Sequence, residues 1–168
     1  MVAESGALIW GAPNASPTKD EARAQEDRLT ASDDSERRTR GRAALQAIHG
    51  QLGEDVVARL GRIAPDFADQ LVDYAFGDVY ARPGLDFRAR QIATVAALTV
   101  LGNAEAQLKW HIRGALNVGV NRDEIVEILM QMAIYGGFPA SVRALLAAGE
   151  VFDEADVMAV EEAIQDDA

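Results

Sequence analysis

From Ser32 onward the sequence is a series of apolar stripes at helical spacing, cut by glycines, prolines and capping residues, and nowhere does it alternate with period two. That pattern restricts the fold class to all-α. "SDDSERRTRGRAALQAIHG" opens on cap-type residues and acids and stops at Gly50, the polarity expected of a helix. "EDVVARLGRI" adds a short amphipathic segment. Pro65 opens "PDFADQLVDYAFG", where Phe67, Leu71, Tyr74 and Ala75 are predicted to share one face. Asp86 is the predicted cap of "FRARQIATVAALTVLG", whose second half is apolar on all sides and is therefore expected to be buried. "AEAQLKWHIRGALNVG" ends at Gly119. Asn121 and Glu124 have capping-box spacing ahead of "IVEILMQMAIYGG", in which Ile125, Ile128, Leu129 and Met132 form one stripe. Pro139 suits the first turn of "PASVRALLAAGEVF", and a last short helix is expected over residues 154–165.

The chain divides into an N-terminal extension, residues 1–31, and an all-α domain, residues 32–168. The extension mixes Pro, Gly, Ser and charge without a sustained apolar period, which predicts a flexible leader. Its one apolar cluster, "ALIW" (Ala7 to Trp10), suggests instead an arm that docks on a neighbouring subunit.

Charge and composition narrow the function classes. A net charge of −11 repels nucleic acid and anionic membranes, so neither is expected as a partner. There is no apolar run of membrane-spanning length and no basic region ahead of "ALIW", which leads to the expectation of a cytoplasmic protein. The absence of cysteine excludes disulfides, thiolate metal sites and thiol redox chemistry in this chain. Residues 150–168 carry eight acids (Glu150, Asp153, Glu154, Asp156, Glu161, Glu162, Asp166, Asp167) with no Lys or Arg, and read as a solvated acidic end.

Of the two histidines, His111 lies inside a helical segment. At 100° per residue it shares a face with Ala104, Gln107, Leu108, Ala115 and Val118, while Lys109 and Arg113 point the other way. Taken alone, an inward histidine is more often a hydrogen-bonded structural residue than a catalyst. A metal site is not expected, because no second His or carboxylate stands at ligand spacing on that face and His49 is remote in sequence.

From "FGDVYARPGLDFRAR" through "LGNAEAQLKWHIRGALNVGVNRDEIVEILMQMAIYGGFPASVRALLAAGEVF", about residues 76–152, the chain resembles the carboxymuconolactone decarboxylase family. The most specific matches are "HIRGALNVGVNRDEIVEIL" and "YGGFPA", with a looser echo back to Ser35. The resemblance implies a helical bundle of the alkylhydroperoxidase D-like type that assembles as a homotrimer or homohexamer and needs no cofactor. It also implies that His111 lines a small-molecule pocket. The peroxidase branch of the family uses Cys-x-x-Cys followed by histidine. Here those cysteine positions are Ala104 and Gln107, so peroxidase chemistry is excluded. The glutamate of that branch falls nearest to Gln91, a neutral amide that cannot serve as a base, which leaves acid–base work to His111.

The decarboxylase branch converts a carboxylated lactone to an enol-lactone with loss of CO₂. That reaction needs a cation for a carboxylate, a donor for the developing oxyanion and a proton for the new carbon centre. The resemblance therefore implies His111 as general acid–base with Gln107 orienting it or the substrate. Arg82, Arg88 and Arg90 are candidates for the carboxylate, and Gln91, Trp110 and Tyr135 for further substrate contact. Arginines at a helix start are otherwise exposed or paired with acids, and Trp110 and Tyr135 serve equally well in a subunit contact. The leader, the acidic end and Gln91 suggest a specialised relative, so a lactone opening, cyclisation or isomerisation stays open. So does a non-catalytic oligomeric binding protein of the same fold.

Overall fold

The computed structural model describes residues 19–166, with side-chain surroundings essentially over 33–156, and all regular structure among them is helical. "ALIW" lies outside the described residues. The chain separates into two units, Met1–Ser35 and Glu36–Ala168, and both apolar clusters and the candidate site belong to the second. In order, the helices are α1 (Lys19–Gly61), α2 (Pro65–Gln70) with a π-helical continuation (Leu71–Tyr80), α3 (Phe87–Leu101), α4 (Glu105–Asn117), α5 (Arg122–Gln131), the single turn α6 (Ala133–Gly136) and α7 (Phe138–Asp166).

Most of the expected punctuation is present. Pro65 starts α2. The Asp86 carboxylate accepts from Ala89 N at 2.7 Å. Asn121 and Glu124 form a full capping box, and Gly102 closes α3 in the left-handed conformation. Gly50 breaks helical geometry (φ 55°, ψ −143°), yet helix resumes at once, so α1 is a kinked rod reaching Gly61. It also begins at Lys19, upstream of the Ser32 start read from the sequence.

Two apolar clusters make the core. In one, Val95 of α3, Leu108, Ile112 and Ala115 of α4, Ile125 and Leu129 of α5 and the alanines of α7 pack together. In the other, Ala44, Leu45, Ile48 and Val57 of α1 meet Ala68, Val72 and Phe76. Trp110 and Phe87 lean on this second cluster. Helix α4 thus serves both clusters, and position 111 lies at their seam.

Helix α1 and the π-helical segment approach backbone to backbone. A Cβ on Gly41 would stand 2.2 Å from the Val72 carbonyl oxygen, and one on Gly77 would stand 2.6 Å from the Arg37 carbonyl oxygen. No larger residue fits at either point. Ion pairs Arg37–Asp78 and Arg38–Asp73 lock the crossing, and the Arg38 hydrogen bond holds the Asp73 carboxyl below its usual pKa.

This crossing decides which face of the segment turns inward. Ala68, Val72 and Phe76 are buried, whereas Phe67 and Tyr74 are mostly exposed, so the stripe predicted through Phe67 and Tyr74 is displaced. The second half of α3 is likewise not buried all round: Val95 and Thr99 are inside, but Val100 and Leu101 are exposed. No break or separate last helix occurs near residue 154, since nothing in "EVFDEADV" stops a helix. Lys109, Arg113 and Arg122 of α4 and α5 pair with Glu150, Glu154 and Asp156, so those three acids of the C-terminal end hold α7 against its neighbours.

Gly41→Ala should lower the unfolding free energy by roughly 1–3 kcal/mol through overpacking against a backbone carbonyl. Gly84→Ala, where an added Cβ meets nothing within 4 Å, should stay within about 0.5 kcal/mol. Urea unfolding followed by circular dichroism measures both.

Candidate active site

The buried stripe of α4 runs through Leu108, Ile112 and Ala115, one position round from the stripe read through Gln107 and Val118. The consequence is that His111 is half-buried at the edge of the core rather than within it, and Gln107 is exposed. The partner of His111 comes from α3. Its Nδ1 donates to Oε1 of Gln91 at 3.0 Å, and Gln91 has no exposed surface. An amide oxygen only accepts, so Nδ1 carries the proton and Nε2 presents a lone pair. Among the described residues Nε2 has no protein partner.

Trp110 and His49 complete the surroundings. The His49 ring stacks on the indole, with centroids 3.7 Å apart and planes within 10°. Both stand edge-on to the His111 ring, Trp110 at 4.9 Å and His49 at 5.1 Å. A Cβ on Gly114 would lie 2.6 Å from Cε1 of His49, so the glycine in "HIRGAL" admits the His49 ring beneath α4. Distance along the chain sets His49 apart in the sequence, and the fold brings it in. Its only sequence signal is that it is the chain's other histidine, placed against the Gly50 break.

Burial governs the electrostatics. Desolvation holds the His111 pKa down to about 4 and that of His49 to about 3, with His111 adding a smaller repulsion to the latter. At neutral pH both rings are therefore uncharged in the free protein. The two histidines face each other, but among the described residues no group of three His, Cys, Asp or Glu side chains is placed to hold a metal ion.

The three arginines separate. Arg88 pairs with Glu124 of the α5 capping box, joining the starts of α3 and α5. Arg90 donates to the Leu85 and Arg82 carbonyls at 3.2 and 3.0 Å and lies over the Tyr80 ring, so it braces the 81–86 turn. Arg82 alone of the three has no side-chain partner among the described residues. It lines a cleft of about 320 Å³ with Tyr80, Leu85, Asp86 and Phe87. Phe87 is one helical turn before Gln91. Tyr135 is far more exposed, at 70 %, on α6 and is in none of these contacts.

A sequence model of the carboxymuconolactone decarboxylase family matches residues 65–150, just over half of the chain. The chain belongs to the carboxymuconolactone decarboxylase family. It is 38% identical over 107 residues to 4-carboxymuconolactone decarboxylase of Acinetobacter baylyi, covering 61% of this chain and 79% of that one. It is 33% identical over 117 residues to an uncharacterized 15.0 kDa protein of Paracoccus denitrificans, covering 69% and 87%. It is 32% identical over 107 residues to nitrosuccinic acid decarboxylase of Metarhizium robertsii, covering 61% and 74%. Within the matched segment fall His111, Gln91, Trp110, Arg82 and the cleft, whereas His49 lies outside it. Among the described residues no helix is long and apolar enough to cross a membrane.

The depressed histidine pKa values make stability depend on pH in a definite direction. Unfolded histidine takes up its proton near pH 6.5, while the folded rings resist until about pH 4 and 3. Between those limits the unfolded state binds more protons, so stability should fall as pH drops below 6.5. For His111 alone the loss is on the order of 3 kcal/mol by pH 4, at about 1.4 kcal/mol for each pH unit crossed. Imidazole NMR titration should show no ring titrating near 6.5, and His111→Phe should flatten the dependence of urea midpoint on pH.

Proposed function

We propose that this protein is a cofactor-free carboxy-lyase acting on a small carboxylated lactone or a related acid, with His111 as its acid–base group. The observation that carries the reading is the Gln91–His111 bond, which fixes the ring and leaves Nε2 without an internal partner among the described residues. The names of the two decarboxylase relatives support it, since carboxymuconolactone and nitrosuccinic acid are both carboxylates carrying an electron-withdrawing group.

On γ-carboxymuconolactone the bond from C4 to its carboxylate breaks, CO₂ leaves, and the electron pair delocalises through the ring double bond to the lactone carbonyl oxygen. The α-carbon then takes a proton from the His111 imidazolium, which is replenished from solvent. Arg82 holds the carboxylate that the substrate retains. A neutral resting imidazole suits this sequence of steps. An anionic substrate brought against the ring raises its pKa, so the proton is taken up as substrate binds. Gln91, rather than the exposed Gln107, orients the ring.

A purely binding role would call for a His111 closed off by internal partners, and only Nδ1 has one. The same reading includes a homotrimer or homohexamer. Phe138, Val142 and Leu146 form an exposed apolar stripe on α7, next to exposed Ile134 and Tyr135 of α6, which suits burial against a second copy. Tyr135 then serves that contact rather than the pocket.

His111→Ala should lower the rate of CO₂ release from γ-carboxymuconolactone by about 10²–10⁴; activity within twofold of wild type would overturn the acid–base assignment. Arg82→Ala should act mainly on KM, and Gln107→Ala on neither parameter. Light scattering at micromolar concentration should give a trimer or hexamer, and a monomer would refute the assembly.

A further inference from the structure

Among the described residues, every buried side-chain nitrogen or oxygen that lacks a hydrogen bond belongs to one of three residues: His49 (both ring nitrogens), Gln91 (Nε2) and Trp110 (Nε1). All three surround His111. Buried polar groups are ordinarily paired, because an unpaired one forfeits its hydration with no return. Four buried polar atoms around His111 thus have hydrogen-bonding capacity that the protein itself leaves unused. The set is also selective. Indole Nε1–H and the amide Nε2 donate and cannot accept, and neither carries a charge. Such donors match an oxygen that becomes negative during reaction better than one already negative, since their hydrogen bonds strengthen as charge arrives.

We propose that Gln91 Nε2 and Trp110 Nε1 form a neutral donor pair for the substrate oxygen that gains charge as CO₂ leaves, and that His49 is the residue that positions Trp110 for this task. The ligand class is a carboxylate conjugated to, or alpha to, an acceptor group whose oxygen takes up the electron pair. The inference rests on the decarboxylase reading and deepens it. Gln91 then works with both ends of its amide: Oε1 holds the His111 Nδ1 proton, and Nε2 faces the substrate oxygen. Neutral donors at that oxygen draw charge away from the departing carboxylate, whereas a cation on that carboxylate would hold charge in place. Arg82 is accordingly left to the carboxylate that stays.

His49 acts at one remove. It is 3 % exposed, lies face to face with the indole at 3.7 Å, and owes its place to the missing Cβ of Gly114 and to the break at Gly50. It lies outside the segment matched by the family. His49 is a positioning residue from the chain's own α1, holding a donor that the matched segment supplies.

The test combines kinetics with ¹⁵N NMR of the full chain. Trp110→Phe keeps the ring and removes the N–H, and should lower kcat on γ-carboxymuconolactone about 10- to 100-fold while KM stays within about threefold. His49→Ala should fall in parallel, and His49→Phe, which can restore the stack, should recover to within about threefold of wild type. In the wild-type protein, 5-oxotetrahydrofuran-2-carboxylate, a saturated lactone acid, should shift the Trp110 indole N–H and the Gln91 amide saturably. The indole signal is assigned by its loss in Trp110→Phe, since Trp10 is the only other tryptophan. Wild-type kcat in Trp110→Phe, or a lactone acid that moves the His111 ring but neither donor, would overturn the donor pair and leave the His111 reading standing. A His49→Phe variant as impaired as His49→Ala would overturn the positioning role. If the wild-type protein releases no CO₂ from this substrate, the decarboxylase reading fails on its own, and the NMR shift alone decides the donor pair: its presence supports the pair and its absence removes it.

Discussion

A side-chain amide with no exposed surface accepts the Nδ1 proton of a half-buried histidine across the contact between α3 and α4. That bond sets the tautomer of His111, the direction of its lone pair and the placement of Gln91 Nε2 in one step. It is strong because both partners are shielded from water, where a lost bond leaves a polar group stranded. The same shielding holds the imidazole uncharged in the free protein, and the acid role proposed for it therefore calls for an anion beside the ring.

The surroundings serve that geometry. Helix α4 contributes Leu108, Ile112 and Ala115 to one apolar cluster and Trp110 to the other, so its rotation is fixed from two sides and His111 is delivered to the seam. Lys109 and Arg113 secure the outer face through Glu150 and Glu154 of α7. Glycines allow the close approaches: Gly41 and Gly77 where α1 meets the π-helical segment, and Gly114 where His49 fits beneath the indole. Nearly half the residues are apolar and many of those are alanine, which suits a bundle of closely spaced helices.

Part of the site is legible in the sequence. His111 stands out as a histidine in a helix of this family's pattern, and Gln91 as the neutral residue nearest a glutamate of the peroxidase branch. The Arg82–Arg90 stretch stands out as the local supply of cations. The departures come from rotation and pairing. A shift of one position in the α4 stripe puts Gln107 in solvent, and hydropathy cannot resolve one position in a segment where small and apolar residues occur on several faces. The arginines look equivalent along the chain because their acceptors, Glu124 and the carbonyls of the 81–86 turn, are defined only once α3 and α5 are side by side.

By itself the sequence determined the all-helical class, the caps at Asp86 and Asn121, the Pro65 start of α2 and the family. Each of these depends on periodicity or on residues within one or two helical turns. Only the tertiary structure decided that His49 belongs with Trp110 and His111, that Arg82 is the arginine left unpaired, and that three solvent-exposed acids of α7 pair with cations of α4 and α5. Those pairings join residues tens of positions apart, and their energies exist only after the helices have packed. Neither period nor spacing along the chain carries a signal for them.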